Sequence, residues 1–205
     1  MGNISSDLRV IRTKKSIREA LVQLIEEKGF EAITVKDITT NAKINRGTFY
    51  SHYKDKYDLI AKCEEEFMNE LEEKIIKNVP NIIADLGTNT PNTTSFTILV
   101  PFFEYLNRNR GFMKAVLGPK GDLSFQTKLK EFMWKTLFKT NKNPIVKQEN
   151  LLVPPEYLVS YIASAHIGVI QQWLNNDRKE SPQEIARIIS TMTINGPLFA
   201  AGLKN

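Results

Sequence analysis

The chain has 205 residues, of which 41% are hydrophobic and 25% are charged, and its formal net charge is +5 at pH 7. That length suits one large or two small domains with a substantial core, and the composition excludes a disordered chain. The apolar runs are far shorter than the roughly 20 residues that cross a bilayer, and the N-terminus has no signal-peptide pattern. We therefore predict a cytoplasmic protein with no membrane partner, in which the single cysteine, Cys63, is a buried thiol.

The N-terminal part of the chain has the hydrophobic spacing of α-helices. The first predicted helix ends at Lys28, and a short second helix opens with a capping box of Thr34 and Asp37. A third is predicted from Asn45, as its N-cap, to near Tyr53. The apolar stripe of the first helix is Ile17, Leu21, Leu24 and Ile25.

The fourth predicted helix is the longest, from the N-cap Asp55 to Asn78, or roughly 36 Å at 1.5 Å per residue. Part of segment 80–95, which is rich in Asn, Thr, Pro and Gly, is predicted to be a loop, and 141–154 is predicted to be a long loop. The stripe of the fourth helix is Ile60, Cys63, Phe67, Leu71 and Ile75. Further helices are predicted near 95–109, 111–117, 122–140, 155–176 and 181–195, the last with a capping box of Ser181 and Glu184. With no alternating strand pattern, the predicted fold is all-α.

The sequence offers little support for catalysis. His52 and His166 lie far apart, neither has a metal-ligand partner four residues away, and no nucleophile lies beside a plausible base. The segment GPKGD at 118–122 lacks the spacing of a phosphate-binding loop. We predict that the protein is not an enzyme and needs no metal or cofactor, and that His166 is a hydrogen-bonded interface residue.

The short third helix has an unusual distribution of side chains. Phe49 and Tyr53 fall on one side, four residues apart, and Ile44 is placed to pack on Phe49. The opposite side carries only small residues, and it is flanked by longer polar ones. The small residues are Gly47, Thr48 and Ser51, and the flanking residues are Arg46, Tyr50 and His52.

A helix with a small outward face fits the DNA major groove, which is about 12 Å wide. The preceding helix begins with Thr34 and Lys36, and the following one with Lys56, all suited to phosphate contacts. Two helices joined by a short turn form the helix-turn-helix arrangement, in which the second helix contacts base edges. Short helices with small solvent-facing residues are also common without any such role, so residue chemistry alone leaves both interpretations open.

Residues 16–60, SIREALVQLIEEKGFEAITVKDITTNAKINRGTFYSHYKDKYDLI, closely resemble the DNA-binding domain of TetR-family transcriptional regulators. The resemblance implies a three-helix DNA-binding domain, residues 1–54, joined by a long fourth helix to an all-helical dimerisation and effector domain, residues 55–205. The chain departs from the family at Lys43, where the turn usually contains glycine. The predicted DNA-binding set is Thr34, Lys36, Asn45, Arg46, Gly47, Thr48, Tyr50, Ser51, His52 and Lys56.

Residues 157–189, YLVSYIASAHIGVIQQWLNNDRKESPQEIARII, resemble more loosely the C-terminal domain of many TetR-type regulators of Gram-positive bacteria. Ser160, Ser164 and Gly168 form a small-residue strip on one helix, and the neighbouring face carries Tyr157, Tyr161, Ile162, Val169 and Trp173. Two helices from each subunit would pair into a four-helix interface; the alternative is that the strip packs within one subunit. The predicted interface residues are Tyr157, Ser160, Tyr161, Ser164, Gly168, Ile185, Ile188 and Met192.

The resemblance implies a homodimeric repressor that binds a roughly palindromic operator and is released by a small-molecule effector. The alternative is a co-regulator or activator that acts through a partner protein and has no small-molecule pocket. Aromatic residues in mid-chain are candidates to line an apolar pocket, although aromatics at helical spacing are more often core. The candidate pocket residues are Phe67, Phe102, Phe103, Phe112, Phe132 and Trp134.

Overall fold

A computed structural model describes residues 3–76, 91–121, 124–139, 148–176 and 180–202, and these residues contain helices and no strand. This confirms the all-α prediction. The α-helices are α1 (Asn3–Lys28), α2 (Val35–Asn41), α3 (Arg46–Tyr50), α4 (Lys56–Ile76), α5 (Pro91–Arg108), α6 (Arg110–Leu117), α7 (Ser124–Phe138), α8 (Pro155–Asn175), α9 (Pro182–Asn195) and α10 (Pro197–Ala200). Two 3-10 turns lie at Phe30–Ala32 and Gln148–Asn150. None of the helices in these ranges is long and apolar enough to cross a membrane.

The chain divides into two compact units. The first unit holds residues 1–68 together with 115–123, and the second holds 69–114 together with 124–205. The predicted boundary at residue 54 therefore differs from this division in two respects. The first unit extends well into α4, and it includes a short segment that is distant in sequence.

The first unit is built around the apolar side of α1. The predicted stripe of α1 is buried, and so are the three predicted α4 residues that belong to this unit. Of the other two, Leu71 is buried in the second unit, and the side chain of Ile75 lies outside the described residues. Burial raises the pKa of the Cys63 thiol to about 12, which keeps it protonated. Core side chains of this unit include Ile17, Leu21, Ile38, Phe49, Leu59 and Phe67.

Hydrogen bonds fix the start of α2. The Asp37 backbone N–H donates to the Thr34 hydroxyl at 3.2 Å, and the Thr34 N–H donates to the Asp37 carboxylate at 2.8 Å, which confirms the predicted capping box. The Lys28 ammonium at the end of α1 lies 2.7 Å from the same carboxylate. Lys28 and the two Thr34 donors together hold the pKa of Asp37 well below its usual range.

The turn between α2 and α3 depends on Lys43. Its φ angle is 54°, so it occupies the left-handed region that the missing glycine would favour. Ile44 then donates its N–H to the Thr39 carbonyl at 3.0 Å and brings the chain into α3. A left-handed conformation at a residue with a Cβ is strained by about 1 kcal/mol or more.

The second unit has a core formed by α5, α7, α8 and α9. Helix α9 packs along α5, and α7 packs on α8. Ser181 caps α9 by accepting the Glu184 N–H at 3.2 Å, as predicted, and Gly196 ends it with a φ angle of 84°. Trp173 is buried in this unit, with its ring edge-on to Phe103 at 5.6 Å between centroids.

Several predicted boundaries were inaccurate. Helix α3 ends at Tyr50, not near Tyr53, because the chain turns at Ser51 and His52. Helix α5 begins at Pro91, earlier than the predicted start near residue 95, and α10 was not predicted. The end of the fourth helix beyond residue 76, the segment 80–90 and the first half of the loop predicted at 141–154 lie outside the described residues.

We expect Lys43→Gly to raise the free energy of unfolding by up to about 1 kcal/mol, because glycine adopts the left-handed conformation without a Cβ clash. Lys43→Val should lower it, since β-branched residues tolerate a positive φ least. Urea unfolding of the two variants and the wild type measures both effects. A Lys43→Gly protein that is less stable than the Lys43→Val protein would contradict the strain at this turn.

Candidate nucleic-acid interface

Helix α3 is anchored through its inner side. Phe49 and Tyr53 are both buried, and their ring centroids lie 5.6 Å apart, as their four-residue spacing predicts. Burial raises the pKa of the Tyr53 hydroxyl far above its usual range, so it stays neutral. This aromatic pair holds a helix of only five residues, which has too few internal hydrogen bonds to be stable alone.

The outer side of α3 is smooth and open. Gly47 is exposed, and a Cβ added to it would meet no atom within 4 Å. Ser51 is exposed too, and its hydroxyl donates to the Thr48 carbonyl at 2.8 Å. A surface without long side chains at its centre allows the helix axis to approach another molecule closely.

Arg46 and Tyr50 lie one turn apart at one flank of this open side. The Arg46 guanidinium donates to the Tyr50 hydroxyl from Nη2 at 3.0 Å and from Nε at 3.3 Å, and its carbon lies 5.5 Å from the centroid of the tyrosine ring. Both residues are exposed. The pair therefore presents a cation and an aromatic edge in a fixed relation to each other.

The N-terminal edge of α3 carries further exposed polar groups. Asn45 precedes the helix, but its side chain makes no capping hydrogen bond, so the predicted side-chain cap is wrong and only the backbone forms this boundary. Lys36 and Lys43 are exposed cations on α2 and on the turn.

At the other end of α3, His52 is half-buried beside Tyr53, with 6.2 Å between the ring centroids.

Thr34 is exposed, and its hydroxyl donates to the Asp37 carboxylate at 2.7 Å. To donate to an outside phosphate it would have to leave this carboxylate, which the Lys28 ammonium would continue to neutralise. Thr34 therefore combines a structural role at the start of α2 with a position from which an external anion is accessible.

Lys56 does not have the exposed position that its predicted phosphate contact requires. Its side chain is only 13% exposed, and its ammonium donates to the carbonyls of Phe30 at 3.1 Å and Glu31 at 2.8 Å. It also lies 5.0 Å from the ring centroids of both Phe30 and Tyr57. Since phosphate binding would break these contacts, the geometry favours an internal role that ties α4 to the 3-10 turn.

The predicted dimer face on α8 is largely exposed in the single chain. Tyr157 and Tyr161 are 70% and 61% exposed, beside the exposed strip of Ser160, Ser164 and Gly168. Large apolar side chains clustered in this way are typical of a surface that another molecule covers.

One predicted interface residue, Ile185, and one residue predicted on the tyrosine face, Trp173, do not lie where they were expected. Ile185, on α9, is only 4% exposed and belongs to the core of the second unit, whereas Ile188 is exposed and Met192 is half-buried. Trp173, predicted on the tyrosine face of α8, points instead into the core against Phe103. Both assignments failed because apolar residues line two sides of these helices, and the sequence does not show which side faces the chain's own core.

His166 joins α8 to α9. Its Nε2 lies 2.9 Å from the Thr193 hydroxyl, which itself donates to the Ile189 carbonyl at 2.8 Å. Because the Thr193 hydroxyl donates its only proton to this carbonyl, its oxygen accepts the hydrogen bond, and His166 donates from Nε2. Burial lowers the pKa of this imidazole, which favours the neutral form near pH 7.

The candidate pocket residues fall into distinct environments. Phe67 is in the core of the first unit, and the other five belong to the second. Phe103 and Phe112 are fully packed, the latter with its ring 6.2 Å from that of Phe125. Only three of the set are half-buried and retain surface that a ligand could cover: Phe102, Phe132 and Trp134.

In the described residues, no group of three or more His, Cys, Asp or Glu side chains is placed to hold a metal ion. The fold and the α2–α3 geometry together define an all-helical protein with an N-terminal helix-turn-helix of the DNA-binding type.

Comparisons with known proteins agree with this class. Residues 17–63 match the profile described as "Bacterial regulatory proteins, tetR family". Residues 93–195, half of the chain, match the profile described as "Transcriptional regulator C-terminal region". The chain belongs to the TetR family of bacterial transcriptional regulators.

Individual relatives are distant. The uncharacterized HTH-type transcriptional regulator YxbF of Bacillus subtilis (strain 168) is 24% identical over 173 residues, which cover 83% of this chain and 42% of YxbF. The chain spans about half of the length of the curated relatives it matches.

Solved structures share the fold. A TetR transcriptional regulator from Streptococcus agalactiae 2603V is 22% identical with a TM-score of 0.58, covering 92% of this chain and 97% of that one. NalD of Pseudomonas aeruginosa, described as the secondary repressor of the MexAB-OprM multidrug efflux pump, is 16% identical with a TM-score of 0.57, covering 90% and 95%. At these identities the similarity establishes the fold alone.

Proposed function

We propose that this regulator is a homodimeric repressor that inserts α3 into the major groove of a roughly palindromic operator. The observation that carries the proposal is the open outer side of α3, at Gly47, Thr48 and Ser51, with the bonded pair of Arg46 and Tyr50 at its flank. Phosphate contacts would come from Thr34, Lys36 and His52. Lys56 is assigned to the internal contact described above and not to DNA.

Lys43 is a candidate for an additional phosphate contact. Its ammonium belongs to an exposed side chain at the turn that directly precedes α3. A cation here, where the family usually has glycine, adds one charge to the surface that faces DNA in a helix-turn-helix.

Dimerisation would use the exposed tyrosine face of α8 together with Ile188 and Met192 of α9. Two copies of this face related by a two-fold axis would form a four-helix interface. The two α3 helices would then lie about one turn of DNA apart, which accounts for a palindromic operator.

Repression and release are supported by the family resemblance, and NalD, which shares the fold, is described as a repressor. An apolar effector would contact the half-buried aromatic residues of the second unit, Phe102, Phe132 and Trp134. By binding one conformation of this unit more tightly, it would shift the population away from the DNA-binding state.

Footprinting on the DNA that flanks its own gene tests the DNA-binding proposal. We expect Arg46→Ala and Tyr50→Ala each to weaken operator binding by about 1–3 kcal/mol, the usual cost of losing a base contact. Lys36→Ala should lower the slope of log affinity against log salt by about 1, as expected for one lost phosphate contact.

The matched control is Arg12→Ala, which removes an exposed cation from α1 in the same unit. It should leave operator affinity close to that of the wild type. A Tyr50→Ala protein that stays dimeric and binds as tightly as the wild type would refute the assignment of α3.

For the dimer, Ser164→Arg places a long charged side chain in the middle of the small strip and should shift sedimentation from dimer to monomer. Operator affinity should fall with it, because one α3 helix alone makes half of the contacts. Thr127→Arg, which adds the same side chain at an exposed position of α7, should remain dimeric. Ser164→Arg that remains fully dimeric would place the interface elsewhere.

For release, a panel of apolar probes, medium-chain fatty acids and aromatic compounds, should contain members that raise the melting temperature and lower operator affinity. Replacing Trp134 by Ala should abolish the melting shift for the same members. A protein that shows no shift with any probe and co-purifies with a neighbour-encoded protein would favour the co-regulator alternative.

A further inference from the structure

Residues 118–121 form a turn, called here the 118–121 turn, that belongs to the first unit. Residues 69–114 of the second unit separate it in sequence from the N-terminal part of the first unit. The Lys120 ammonium donates to the carbonyls of Glu26 and Glu27 at 3.2 Å each. These carbonyls belong to the last turn of α1, where no further helical N–H is available to them. A cation at this end also opposes the negative pole of the helix.

The backbone of the 118–121 turn continues the contact. The Lys120 carbonyl accepts the N–H of Phe30 at 3.1 Å, the first residue of the 3-10 turn. The carbonyl of Phe30 accepts a hydrogen bond from the Lys56 ammonium at 3.1 Å. The Phe30 backbone is therefore held by residues 120 and 56, which come from two distant parts of the sequence.

Two glycines make this fit specific. Gly29 has a φ angle of 83°, and its open side lies against the Lys120 side chain, where an added Cβ would be 3.5 Å from the Lys120 Cβ. Gly121 has no room for a side chain, since a Cβ there would lie 2.3 Å from the Val116 carbonyl oxygen. Both positions are therefore unfavourable for a residue with a Cβ.

The Phe30–Ala32 turn leads directly to Thr34, the N-cap of α2, and Lys56 is the first residue of α4. Phe30 is therefore hydrogen-bonded to the first residue of α4 and lies four residues before the N-cap of α2, the two helices that flank α3. We propose that the 118–121 turn is a positioning element for DNA binding, with Lys120 as its principal positioning residue. This rests on the proposed function, because it assigns to Lys120 an effect on operator affinity without any contact to DNA.

The 118–121 turn directly follows α6, and the first residue of α6 is itself fixed. The Arg110 guanidinium donates from Nη2 to the carbonyls of Trp173 at 3.2 Å and Leu174 at 2.5 Å, at the end of α8. These hydrogen bonds fix the start of α6 within the second unit.

The test compares Lys120→Met, which removes the ammonium and keeps most of the side-chain length, with Lys114→Met. Lys114 is an exposed lysine on α6, so both variants lose one positive charge from the same stretch of chain. We expect Lys120→Met to weaken operator binding about tenfold relative to Lys114→Met, with an unchanged salt slope, because no phosphate contact is lost. Lys120→Arg should restore affinity, since its guanidinium can donate to the same carbonyls.

Hydrogen exchange of the Phe30 amide supplies a readout that does not involve DNA. It should be about tenfold faster in Lys120→Met than in Lys114→Met, and faster still in Gly121→Ala, in which the turn cannot keep its shape. Equal affinity and equal exchange in the two methionine variants would overturn the proposal. A salt slope lowered by about 0.9 would overturn it differently, by showing that Lys120 contacts a phosphate.

Failure of the proposed function has a separate signature. If the wild-type protein protects no DNA, the function is wrong, while the exchange rates still decide whether the 118–121 turn fixes Phe30. Faster exchange in Lys120→Met with unchanged operator affinity would show that the turn stabilises the unit without positioning it for DNA, and would also refute the proposal.

Discussion

Burial of Phe49 and Tyr53 is the interaction on which the candidate interface depends. A helix of five residues cannot persist through its own hydrogen bonds, so α3 exists as a defined surface only because its inner aromatic pair is enclosed. The same burial leaves the outer side with nothing larger than Thr48 between its flanking residues. Anchoring and exposure are thus two results of one amphipathic spacing.

Around this anchor, the ends of helices are the points where the first unit is held together. Asp37 joins the end of α1 to the start of α2, because its carboxylate accepts from Thr34 and pairs with Lys28. Lys56 makes the equivalent connection between the start of α4 and the 3-10 turn. Since the pKa of Asp37 is lowered, the stability from its contacts is present above the ordinary carboxyl pKa near 4 and is lost as the pH falls below it.

Periodicity and capping rules predicted most of the helices. The stripes of α1 and α4 and the capping boxes at Thr34 and Ser181 depend on local spacing, which the sequence contains directly. The positive φ of Lys43 lies at the position where the family usually has glycine, but the sequence alone does not state the conformation that a lysine takes there. The side chain of Asn45 makes no capping hydrogen bond. The prediction was wrong because an N-cap preference describes which hydrogen bonds a side chain can make, not whether it makes them at a given position.

Tertiary contacts account for the remaining errors. Lys56 was predicted to face DNA because its charge and position suit a phosphate, but two carbonyls of a turn 25 residues earlier accept its protons. Ile185 and Trp173 were placed on the wrong side of their helices because both sides are apolar. Which side is internal depends on the packing of α5, α8 and α9, and no local pattern specifies that packing.

The composition of the first unit affects how this protein can be recombined with others. Suppose that the N-terminal residues, up to the end of the helix-turn-helix or to any point along α4, were transferred to another regulator. The 118–121 turn would not be transferred with them. The carbonyls of Glu26 and Glu27 and the N–H of Phe30 would then have to find partners in a turn that evolved for a different α1. The first compact unit therefore follows the contacts and not the sequence order, and a transferable helix-turn-helix unit consists of two separate segments.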